Sequence, residues 1–412
     1  MQVDVVVIGA GAAGIGAGQA LEAQGHSFVI LEAADRVGGR AYTDRVSLPD
    51  PWDQGCHWFH CADVNPLVAW GERLGADFER EDRISSNMTW ANGTWQDEAG
   101  LAESGDAFDR AFAAVYAAAA AGSDGSLDTI LPNSGPWARQ IRYVARLMSS
   151  GDPQDVSVSG YADYADTEVN YVVRSGLGDL IERMASGLPI RLNTAVTAVE
   201  QRPGGVRVVT GAGTIEARAA IVTVSTNVLA AGAIHFDAPD ALPVLDRIAD
   251  VPCGAYEKIA IALRRPPIDP GETQFCWIEP GQGQPLSFEF APTRTPILIA
   301  HVGGSDARAL VAAGRQAMID LGVERLADAF GSAIRGDVTH AEVTGWLTNP
   351  LIRGAYSHAK PGLAGRRREM IAAETGDILF AGEAFSLKWE ATAHGAWQSG
   401  QDAAKRAAAR IG

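Results

Sequence analysis

The chain has 412 residues, of which 47% are hydrophobic and 20% charged, values that are ordinary for a globular protein with room for two domains. Its formal net charge of −16 argues against nucleic-acid binding and weakly favours cationic small molecules as ligands. Because no stretch is apolar for long enough to span a membrane and the first predicted strand starts at Val3, we expect a cytoplasmic protein without membrane contact.

The first predicted element is the strand that starts at Val3, and its apolar run over residues 5–8 leads into a glycine-rich turn. Gly9, Gly11 and Gly14 have the G-x-G-x-x-G spacing, a helix-prone segment follows, and a second apolar run ends at Glu32. The first glycine permits the turn, the second lets the backbone approach a pyrophosphate, and the third lets helix and strand pack closely. The helix N-terminus offers N–H groups to phosphates, and Glu32 can accept hydrogen bonds from ribose hydroxyls. The segment therefore predicts a dinucleotide site.

A second glycine pair follows the acidic residue. Gly38 and Gly39 precede Arg40, whose guanidinium can make a forked contact with phosphate. With the motif before it, this segment resembles the flavin-containing amine oxidase family, in which the same motifs hold FAD. The resemblance adds Ala13 and Ala33 to the FAD contacts. It implies an α/β fold in which a Rossmann-like FAD-binding domain carries an inserted α+β substrate-binding domain, the amine oxidase/glutathione-reductase-like fold.

A histidine-containing segment comes next. Cys56, His57, His60 and Cys61 stand among bulky aromatic residues, a spacing that fits zinc poorly, so we predict no metal site and reduced, structural cysteines. The segment resembles the Gly-x-x-Trp-[Ile/Val]-His-Gly motif of animal polyamine oxidases, with Cys61 in place of the last glycine. This resemblance implies that His60 lies in the substrate pocket. A hydrogen-bonded structural histidine is the alternative.

The two predicted domains are assembled from separated segments. Residues 1–80, 185–250 and 345–412 are expected to form the FAD-binding domain. Residues 81–184 and 251–344 are expected to form the substrate-binding domain.

The middle of the chain predicts one helix and several strands. The alanine-rich residues 101–122 predict the helix, and the resemblance implies that the backbone around Val196 meets the adenine. Gly211 and Gly213 lack the third glycine and the strand–helix context of a dinucleotide motif, so we predict a hairpin turn there. Flavoenzymes that take electrons from NADPH generally need a second dinucleotide site. We therefore expect the organic substrate itself to reduce the flavin.

Residues 257–263 predict a strand that carries a lysine. Lys258 shares a strand face with Ala260 and Ala262, whose small side chains leave space beside it. The family has a lysine on the matching strand, where it holds a water near flavin N5, and the resemblance implies this role for Lys258. A solvated lysine on an edge strand is the alternative.

Aromatic residues in the last third of the chain match the family's cofactor and substrate site. Trp346 begins a segment that resembles Trp-x-x-[Asp/Asn]-Pro followed by Gly-x-Tyr-Ser. The resemblance places Trp346 at FAD and makes Tyr356 one wall of an aromatic cage that can contact an amine through its π-face. Trp389 occupies the family's aromatic position near the same place, and a core aromatic is the alternative for each. Ala355 stands where monoamine oxidases have their flavin-linking cysteine, so we expect non-covalent FAD.

The C-terminal segment carries the second cofactor signature. Residues 377–381 predict a buried strand that ends at Gly382 and Glu383, and Thr392 and Ala393 open the last helix. In the family, the residue matching Glu383 contacts the ribityl–pyrophosphate region. The helix start near Thr392 would face the flavin pyrimidine oxygen, where its dipole stabilises negative charge.

The resemblance implies an FAD-dependent amine oxidase, which forms an imine by hydride transfer to flavin and reduces O2 to H2O2. Polyamine, monoamine and amino-acid substrates remain open, as does the oligomeric state. Asp163, Asp166 and Glu168 are candidates for binding a distal amine, with a solvated acidic loop as the alternative. A desaturase-like or protoporphyrinogen-oxidase-like enzyme and a non-catalytic flavoprotein are the rival hypotheses. Lys258 together with Tyr356 argues against the first rival.

Overall fold

A computed structural model describes residues 2–80, 87–269, 274–290 and 292–412. The strands are β1 (Gln2–Ile8), β2 (Phe28–Leu31), β3 (Thr43–Asp44), β4 (Trp52–Asp53), β5 (Trp58–Phe59), β6 (Phe78–Arg80), β7 (Asn87–Ala91), β8 (Thr94–Trp95), β9 (Tyr171–Val173), β10 (Ile190–Arg191), β11 (Val196–Arg202), β12 (Gly205–Thr210), β13 (Gly213–Val222), β14 (His235–Asp237), β15 (Tyr256–Leu263), β16 (Gln274–Glu279), β17 (Leu286–Phe290), β18 (Ile297–Gly303), β19 (Val338–Val343) and β20 (Ile378–Phe380). The helices are α1 (Ala12–Ala23), α2 (Pro66–Leu74), α3 (Glu98–Ala120), α4 (Ala138–Ser149), α5 (Val158–Ala162), α6 (Leu177–Met184), α7 (Thr226–Ala230), α8 (Leu242–Leu245), α9 (Gly304–Ala313), α10 (Arg315–Phe330), α11 (Gly365–Ala372) and α12 (Ala393–Ile411).

The first large sheet has the order β10-β2-β1-β13-β12-β11-β14, and β20 also pairs with β13. Its centre is parallel, because β1 lies between β2 and β13 and runs in the same direction as both. Successive side chains of a strand point to opposite faces, and both faces of β1 are covered. Val5 and Val7 pack in a core shared with α1 and α12, whereas Val6 and Ile8 belong to the core on the other face. This double burial explains why β1 reads as a continuous apolar run.

The second large sheet has the order β19-β15-β18-β17-β16-β7-β8. β15 lies between β18 and β19 and is antiparallel to both. Helix α10 packs so closely on this strand that a Cβ on Gly322 would lie 3.0 Å from Ile261 and 3.1 Å from Ile259. β15 is consequently buried along almost its whole length, and it is an interior strand rather than an edge strand.

Most of the predicted elements are found in the structure. The helix expected over residues 101–122 is α3, the turn expected at residues 211–213 joins β12 to β13, and the sheets are mixed with helices as an α/β fold requires. None of the helices in the described ranges is long and apolar enough to cross a membrane.

The division into two domains stays a prediction. The two large sheets follow the predicted segments, but α6 of the predicted substrate-binding segment packs in one core with α1. β9 joins β5 and β6 in a small sheet, which again connects the two sets of segments. Residues 81–86, 270–273 and 291, which were assigned to the substrate-binding domain, lie outside the described residues.

Candidate active site

The glycines of the first motif serve different purposes. Gly9 has a φ of +106°, which a side chain rarely adopts, and a Cβ on Gly14 would lie 1.9 Å from the Gly9 carbonyl oxygen. A Cβ on Gly11, in contrast, would find its nearest neighbour, the Gly38 carbonyl oxygen, 3.8 Å away. The protein itself therefore does not require a glycine at this position. A glycine that the packing does not require, at the start of α1, fits the close approach of a pyrophosphate.

The carboxylate of Glu32 is held at the same turn. Its Oε2 accepts a hydrogen bond from the Ala10 backbone N–H at 2.7 Å, and its Oε1 accepts one from the Ala34 N–H at 2.8 Å. A carboxylate oxygen can accept more than one hydrogen bond, so both oxygens keep capacity for ribose hydroxyls. The donor and acceptor set of the turn thus suits a nucleotide.

Arg40 and Glu383 bring together the two remote cofactor segments. Their Nη1 and Oε1 atoms are 3.0 Å apart, and the same guanidinium donates to the Ala355 carbonyl. Glu383 also accepts hydrogen bonds from the Ser357 hydroxyl at 2.7 Å and from the Ala391 N–H at 3.0 Å. Burial alone would raise the pKa of Glu383, but the neighbouring arginines, chiefly Arg40, outweigh it and lower the pKa. Glu383 is therefore an ionised junction between three parts of the site.

The last helix begins at the predicted position. The Thr392 hydroxyl accepts a hydrogen bond from the Gly395 N–H at 3.0 Å and donates to the Trp389 carbonyl at 2.7 Å, so Thr392 caps α12 and Ala393 is its first residue. Before this helix, Gly382 has a φ of +140°. The Gly382 N–H donates to the Ser399 hydroxyl at 2.9 Å, which joins the end of β20 to α12.

Lys258 is buried beneath the segment that follows β4. Its side chain is 2% exposed, and its Nζ donates to the Asp53 carbonyl at 2.9 Å and to the Gly55 carbonyl at 2.7 Å. The third contact of Nζ is His57 Nδ1 at 2.9 Å. Burial lowers the pKa of Lys258 to about 8, although the nearby carboxylates of Asp53 and Glu289 oppose the shift. The alternative of a solvated lysine on an edge strand is wrong, because β15 has a neighbour on each side.

Trp346 follows β19, the neighbour of β15, and contacts the segment after β4, as Lys258 does. Its indole Nε1 donates to the Gln54 carbonyl at 3.1 Å, and its backbone N–H donates to the carboxylate of Glu257 at 3.1 Å. Because Glu257 precedes Lys258 on β15, these hydrogen bonds connect Trp346 to the strand that carries Lys258.

The predicted aromatic residues lie in two small clusters. The ring of Tyr356 lies 5.7 Å from that of Tyr256, and its hydroxyl donates to the Leu147 carbonyl. The ring of Trp389 lies 5.3 Å from that of His394. Both Tyr356 and Trp389 are half-buried, as the walls of a ligand cavity would be.

His60 is connected to the Trp389 cluster through one asparagine. His60 Nδ1 is 2.8 Å from Asn170 Oδ1, and the His60 carbonyl accepts from Asn65 Nδ2 at 2.8 Å. Asn65 Nδ2 also lies 3.2 Å from Nδ1 of His394, whose ring is tilted against that of Trp389. The His60 side chain is thus hydrogen-bonded and half-buried, a state that suits both interpretations of its role.

The remaining predicted residues lie around this centre. Val196 begins β11 and is buried in the sheet core, and Asp163 pairs with Arg368 at 3.0 Å. Asp166 accepts a hydrogen bond from the Glu168 N–H at 2.8 Å. Asp163 and Asp166 therefore already have partners, as an acidic surface loop would.

The sequence analysis missed the groups that surround Lys258. His57 received little weight there, and Glu289 and His301 none, although all three lie within one hydrogen-bonded cluster beside Lys258. One signal was visible: Glu289 interrupts an apolar strand between Phe288 and Phe290, which is unusual for an ionisable residue without a buried partner.

A family model for the flavin containing amine oxidoreductases matches residues 12–123 and 136–408. Polyamine oxidase 4 of Oryza sativa subsp. japonica is 27% identical over 449 residues, which cover 99% of this chain and 89% of that protein. Lysine-specific histone demethylase 2 of Homo sapiens is 25% identical, and the match covers 98% of this chain but only 53% of the relative.

Two solved structures share the fold over the whole chain. Cyclohexylamine oxidase from Brevibacterium oxydans IH-35A superposes with a TM-score of 0.82 at 23% identity, and the match covers 99% of both chains. A triple mutant of putrescine oxidase superposes with a TM-score of 0.79 at 20% identity, again over 99% of both chains. The predicted α/β fold is that of these proteins.

Proposed function

The chain belongs to the family of flavin containing amine oxidoreductases, and we propose that it is an FAD-dependent oxidase of a small-molecule amine. In this reaction the C–N bond of the amine is oxidised to an imine, which water hydrolyses to a carbonyl compound and an amine or ammonia. FAD, when bound, supplies an acceptor for the hydride from the carbon beside nitrogen and a donor of two electrons to O2, which becomes H2O2.

The observation that carries the proposal is the ion pair between Arg40 and Glu383. Arg40 follows the first nucleotide motif and Glu383 follows β20, yet their side chains are 3.0 Å apart. Two segments with separate cofactor signatures therefore share one site. A Cβ on Gly11 would make only ordinary van der Waals contacts, with Gly38 and Gly39, so the absence of a side chain there supports a ligand at the same turn.

The chain's own groups would hold the cofactor without a covalent bond. Gly11 and the first turn of α1 would bind the pyrophosphate, Glu32 the ribose, and the start of α12 the flavin pyrimidine. Ala355 has no nucleophile with which to link the flavin. The residues proposed to hold FAD are Gly9, Gly11, Ala13, Gly14, Glu32, Ala33, Gly38, Gly39, Arg40, Val196, Trp346, Gly382, Glu383, Thr392 and Ala393.

Four residues are proposed to act on the substrate side. Tyr356 and Trp389 would form aromatic walls that orient the amine and exclude water. His60 would contribute a polar group to the same pocket, and Lys258 would face the reactive part of the cofactor. All three N–H groups of the Lys258 ammonium already have protein acceptors. A water could be held only in place of one of them.

The substrate is proposed to be a diamine, a polyamine or a primary monoamine. The names of the relatives and of the similar structures include polyamine, putrescine and cyclohexylamine oxidases. The net charge of −16 attracts cations at long range, which favours substrates with more than one ammonium group. We also propose that O2 is the electron acceptor and that the protein is cytoplasmic.

An anaerobic titration tests the proposal directly. The purified protein is loaded with FAD and mixed with spermine, putrescine, cyclohexylamine, benzylamine and L-amino acids in turn. We expect at least one amine to bleach the flavin absorption band, and readmitted O2 to restore it with release of H2O2. A flavin that stays oxidised with every amine would support the non-catalytic alternative, and bleaching by a carbon framework without nitrogen would support the desaturase-like one.

A substitution at Lys258 tests its place at the reacting atoms. Lys258→Met keeps the apolar stem but removes the charge, and we expect the rate of flavin reduction to fall by roughly 100-fold, the usual effect of removing a group that stabilises the reaction's transition state. Lys360→Met, at an exposed position, is the matched control. The rate is measured by stopped-flow absorbance. Equal rates in both variants would remove Lys258 from the site.

A further inference from the structure

Lys258 is the only buried lysine of the chain. The sequence contains four lysines, and the other three, Lys360, Lys388 and Lys405, are exposed. Ion pairs elsewhere in the described residues use arginine almost throughout, which remains charged when buried. A lysine loses its proton far more easily in such a place, so its surroundings decide its charge.

A connected set of hydrogen bonds leads from Lys258 to a buried carboxylate. Because the ammonium donates to His57 Nδ1, the imidazole proton must lie on Nε2, which is 2.9 Å from Glu289 Oε2. Glu289 is fully buried and accepts a second hydrogen bond from Trp58 Nε1 at 3.4 Å. His57 thus stands as a bridge between a buried cation and a buried anion.

The set continues beyond Glu289 to a tyrosine. His301 Nε2 lies 3.6 Å from Glu289 Oε2, and the Tyr256 hydroxyl lies 2.7 Å from His301 Nδ1. We call Lys258, His57, Glu289, His301 and Tyr256 the buried network. It joins β15, β17, β18 and the segment after β4, and its tyrosine packs against the ring of Tyr356.

The protonation states in the buried network agree with these bonds. Burial, followed by the nearby Lys258 charge, lowers the pKa of His57 to about 4, so His57 is neutral at pH 7. Burial would raise the pKa of Glu289, but the contacts with His57 and His301, both hydrogen-bonded to its carboxylate, outweigh burial and lower the pKa. The net arrangement is one positive and one negative charge, bridged by a neutral imidazole.

Loss of the Lys258 proton would leave one bond at Nζ unmade, because a neutral amine has two N–H groups for three acceptors. Its lone pair would face a backbone carbonyl oxygen or the lone pair of His57 Nδ1. A change of the His57 tautomer would relieve that contact, but it would then place the Nε2 lone pair against the Glu289 carboxylate. Each alternative leaves two acceptors facing each other in a buried site, which is costly.

We propose that Glu289 is a positioning residue of the amine-oxidising site, which acts through His57 to keep Lys258 charged and fixed. Lys258 then serves as a stationary positive charge that favours the arrival of electrons on the cofactor, rather than as a proton acceptor. The role at the cofactor rests on the proposed function. The coupling between Glu289 and Lys258 does not, and it can be measured without substrate.

Asp53 on β4 and Glu289 on β17 face Lys258 and favour its charged form, whereas burial opposes it. The thiol of Cys56 is neutral, because burial raises its pKa to about 12. Asp53 itself has a pKa raised by burial to about 6 and is ionised at neutral pH. Removal of the Glu289 charge therefore tests the buried network while the other nearby carboxylate, that of Asp53, stays in place.

A metal ion is the competing explanation for part of the cluster. The ligand atoms of His57, Glu289 and His301 lie within 4.8 Å of one another. Direct hydrogen bonds already engage these atoms, and the Lys258 ammonium, 2.9 Å from His57, would repel a cation. Stoichiometric zinc or iron in purified protein that is lost in His301→Ala would overturn the proposal.

The small number of lysines makes the charge of Lys258 directly observable. The triple variant Lys360→Arg, Lys388→Arg, Lys405→Arg leaves Lys258 as the only lysine, so ¹³Cε-lysine labelling gives one side-chain NMR signal. Its pH titration is recorded in this background, in apoprotein and in FAD-loaded protein. Glu289→Gln is then added, with Glu279→Gln on the neighbouring strand β16 as the matched control.

We expect the titration midpoint of Lys258, about 8 in the background protein, to fall by about one unit or more in Glu289→Gln, a tenfold loss of proton affinity. Glu279→Gln should leave it unchanged. His57→Leu, a second variant in case Glu289→Gln does not fold, should also lower the midpoint, and adding Glu289→Gln to it should have less effect than in the parent. Equal midpoints in Glu289→Gln and Glu279→Gln would overturn the coupling.

The pH profile of flavin reduction tests the role at the cofactor. In Glu289→Gln the alkaline limb of this profile should move to lower pH, by the same amount as the NMR midpoint of Lys258. The flavin reduction potential should become more negative. If the NMR midpoint of Lys258 shifts but the pH profile of flavin reduction and the flavin reduction potential do not, the positioning role is overturned. A protein that binds no FAD would refute the proposed function, while the lysine titration would still test the coupling.

Discussion

At the scale of single residues, the second and third glycines of the first motif differ in what they contact. A Cβ on Gly14 would collide with the Gly9 carbonyl oxygen at 1.9 Å, whereas a Cβ on Gly11 would meet nothing closer than 3.8 Å. Gly11 has a φ of −75°, which alanine adopts without strain. Only a ligand would be affected by a methyl group at this position.

We therefore expect Gly11→Ala and Gly14→Ala to fail in different ways. Gly11→Ala should leave the melting temperature of the apoprotein unchanged but weaken FAD binding by roughly tenfold or more, because the backbone can no longer approach the pyrophosphate. Gly14→Ala should lower the melting temperature of the apoprotein itself. Differential scanning fluorimetry and FAD titration by fluorescence quenching give the two readouts.

Gly105→Ala is the control for the general effect of adding a methyl group. Gly105 lies in α3, and a Cβ there would find no atom within 4 Å. It should slightly raise helix stability and leave FAD binding untouched. Normal FAD affinity in Gly11→Ala would contradict a pyrophosphate at the start of α1.

The sequence predicted residues whose role depends on the local backbone, and it missed those whose partners come from distant strands. Gly9, Gly11 and Gly14 carry their meaning in their spacing, because turn and helix form within a few residues. His57 acquires its meaning from Glu289, which is far along the chain and reaches it only through the order of strands in the second sheet. No local pattern contains that pairing.

At the scale of elements, the start of α12 depends on one side chain. Thr392 accepts a hydrogen bond from Gly395 N at 3.0 Å, which satisfies one of the free N–H groups of the first turn. Thr392→Val keeps the shape but removes the hydroxyl, and loss of such a cap costs about 1 kcal/mol. Urea unfolding of the apoprotein should show this loss in the free energy of unfolding.

Thr392→Ser is the matched comparison because it keeps the capping oxygen. We expect Thr392→Ser to retain most of the stability that Thr392→Val loses. Thr392→Val should also bind FAD more weakly if the helix start faces the flavin. Equal unfolding curves for the valine and serine variants would show that the cap contributes nothing measurable.

The sequence predicted the strand that carries Lys258 but not its place in the sheet. Alternation over residues 257–263 correctly predicted β15, but the sequence left open whether the strand lies at an edge. Its neighbours β18 and β19 both come from later in the chain, and antiparallel pairing with each follows from tertiary packing rather than from local propensity. The same nonlocal packing brings β9 and α6 beside the first segment, which the predicted domain boundary at residue 184 did not anticipate.

At the scale of the whole molecule, buried titratable groups set the pH dependence of stability. Burial, as the first cause in each case, lowers the pKa of His57 and His358 to about 4 and that of His394 to about 3. The unfolded chain binds these protons near pH 6.5, so the free energy of unfolding rises with pH between about 4 and 6.5. Burial raises the pKa of Asp53 to about 6 and that of Glu390 to about 7, which gives the opposite slope. Because the histidines outnumber these acids, we expect net loss of stability on acidification.

Glu390 provides the sharpest test of this balance. It is 7% exposed, and its Oε2 has no hydrogen-bond partner among the described residues. Its pKa rises from 4.5 in the unfolded chain to about 7 in the folded protein. Between pH 4.5 and about 7 the folded protein therefore binds more protons than the unfolded chain, and the ionised carboxylate destabilises it by about 3 kcal/mol above pH 7.

Glu390→Gln should be more stable than the parent at pH 8 and no more stable at pH 4.5, as measured by urea unfolding. Glu374→Gln, at a side chain that is 92% exposed, is the control. Parallel pH curves for parent and Glu390→Gln would mean that Glu390 is ionised in the folded protein at no cost, with an undetected cation or water network beside it.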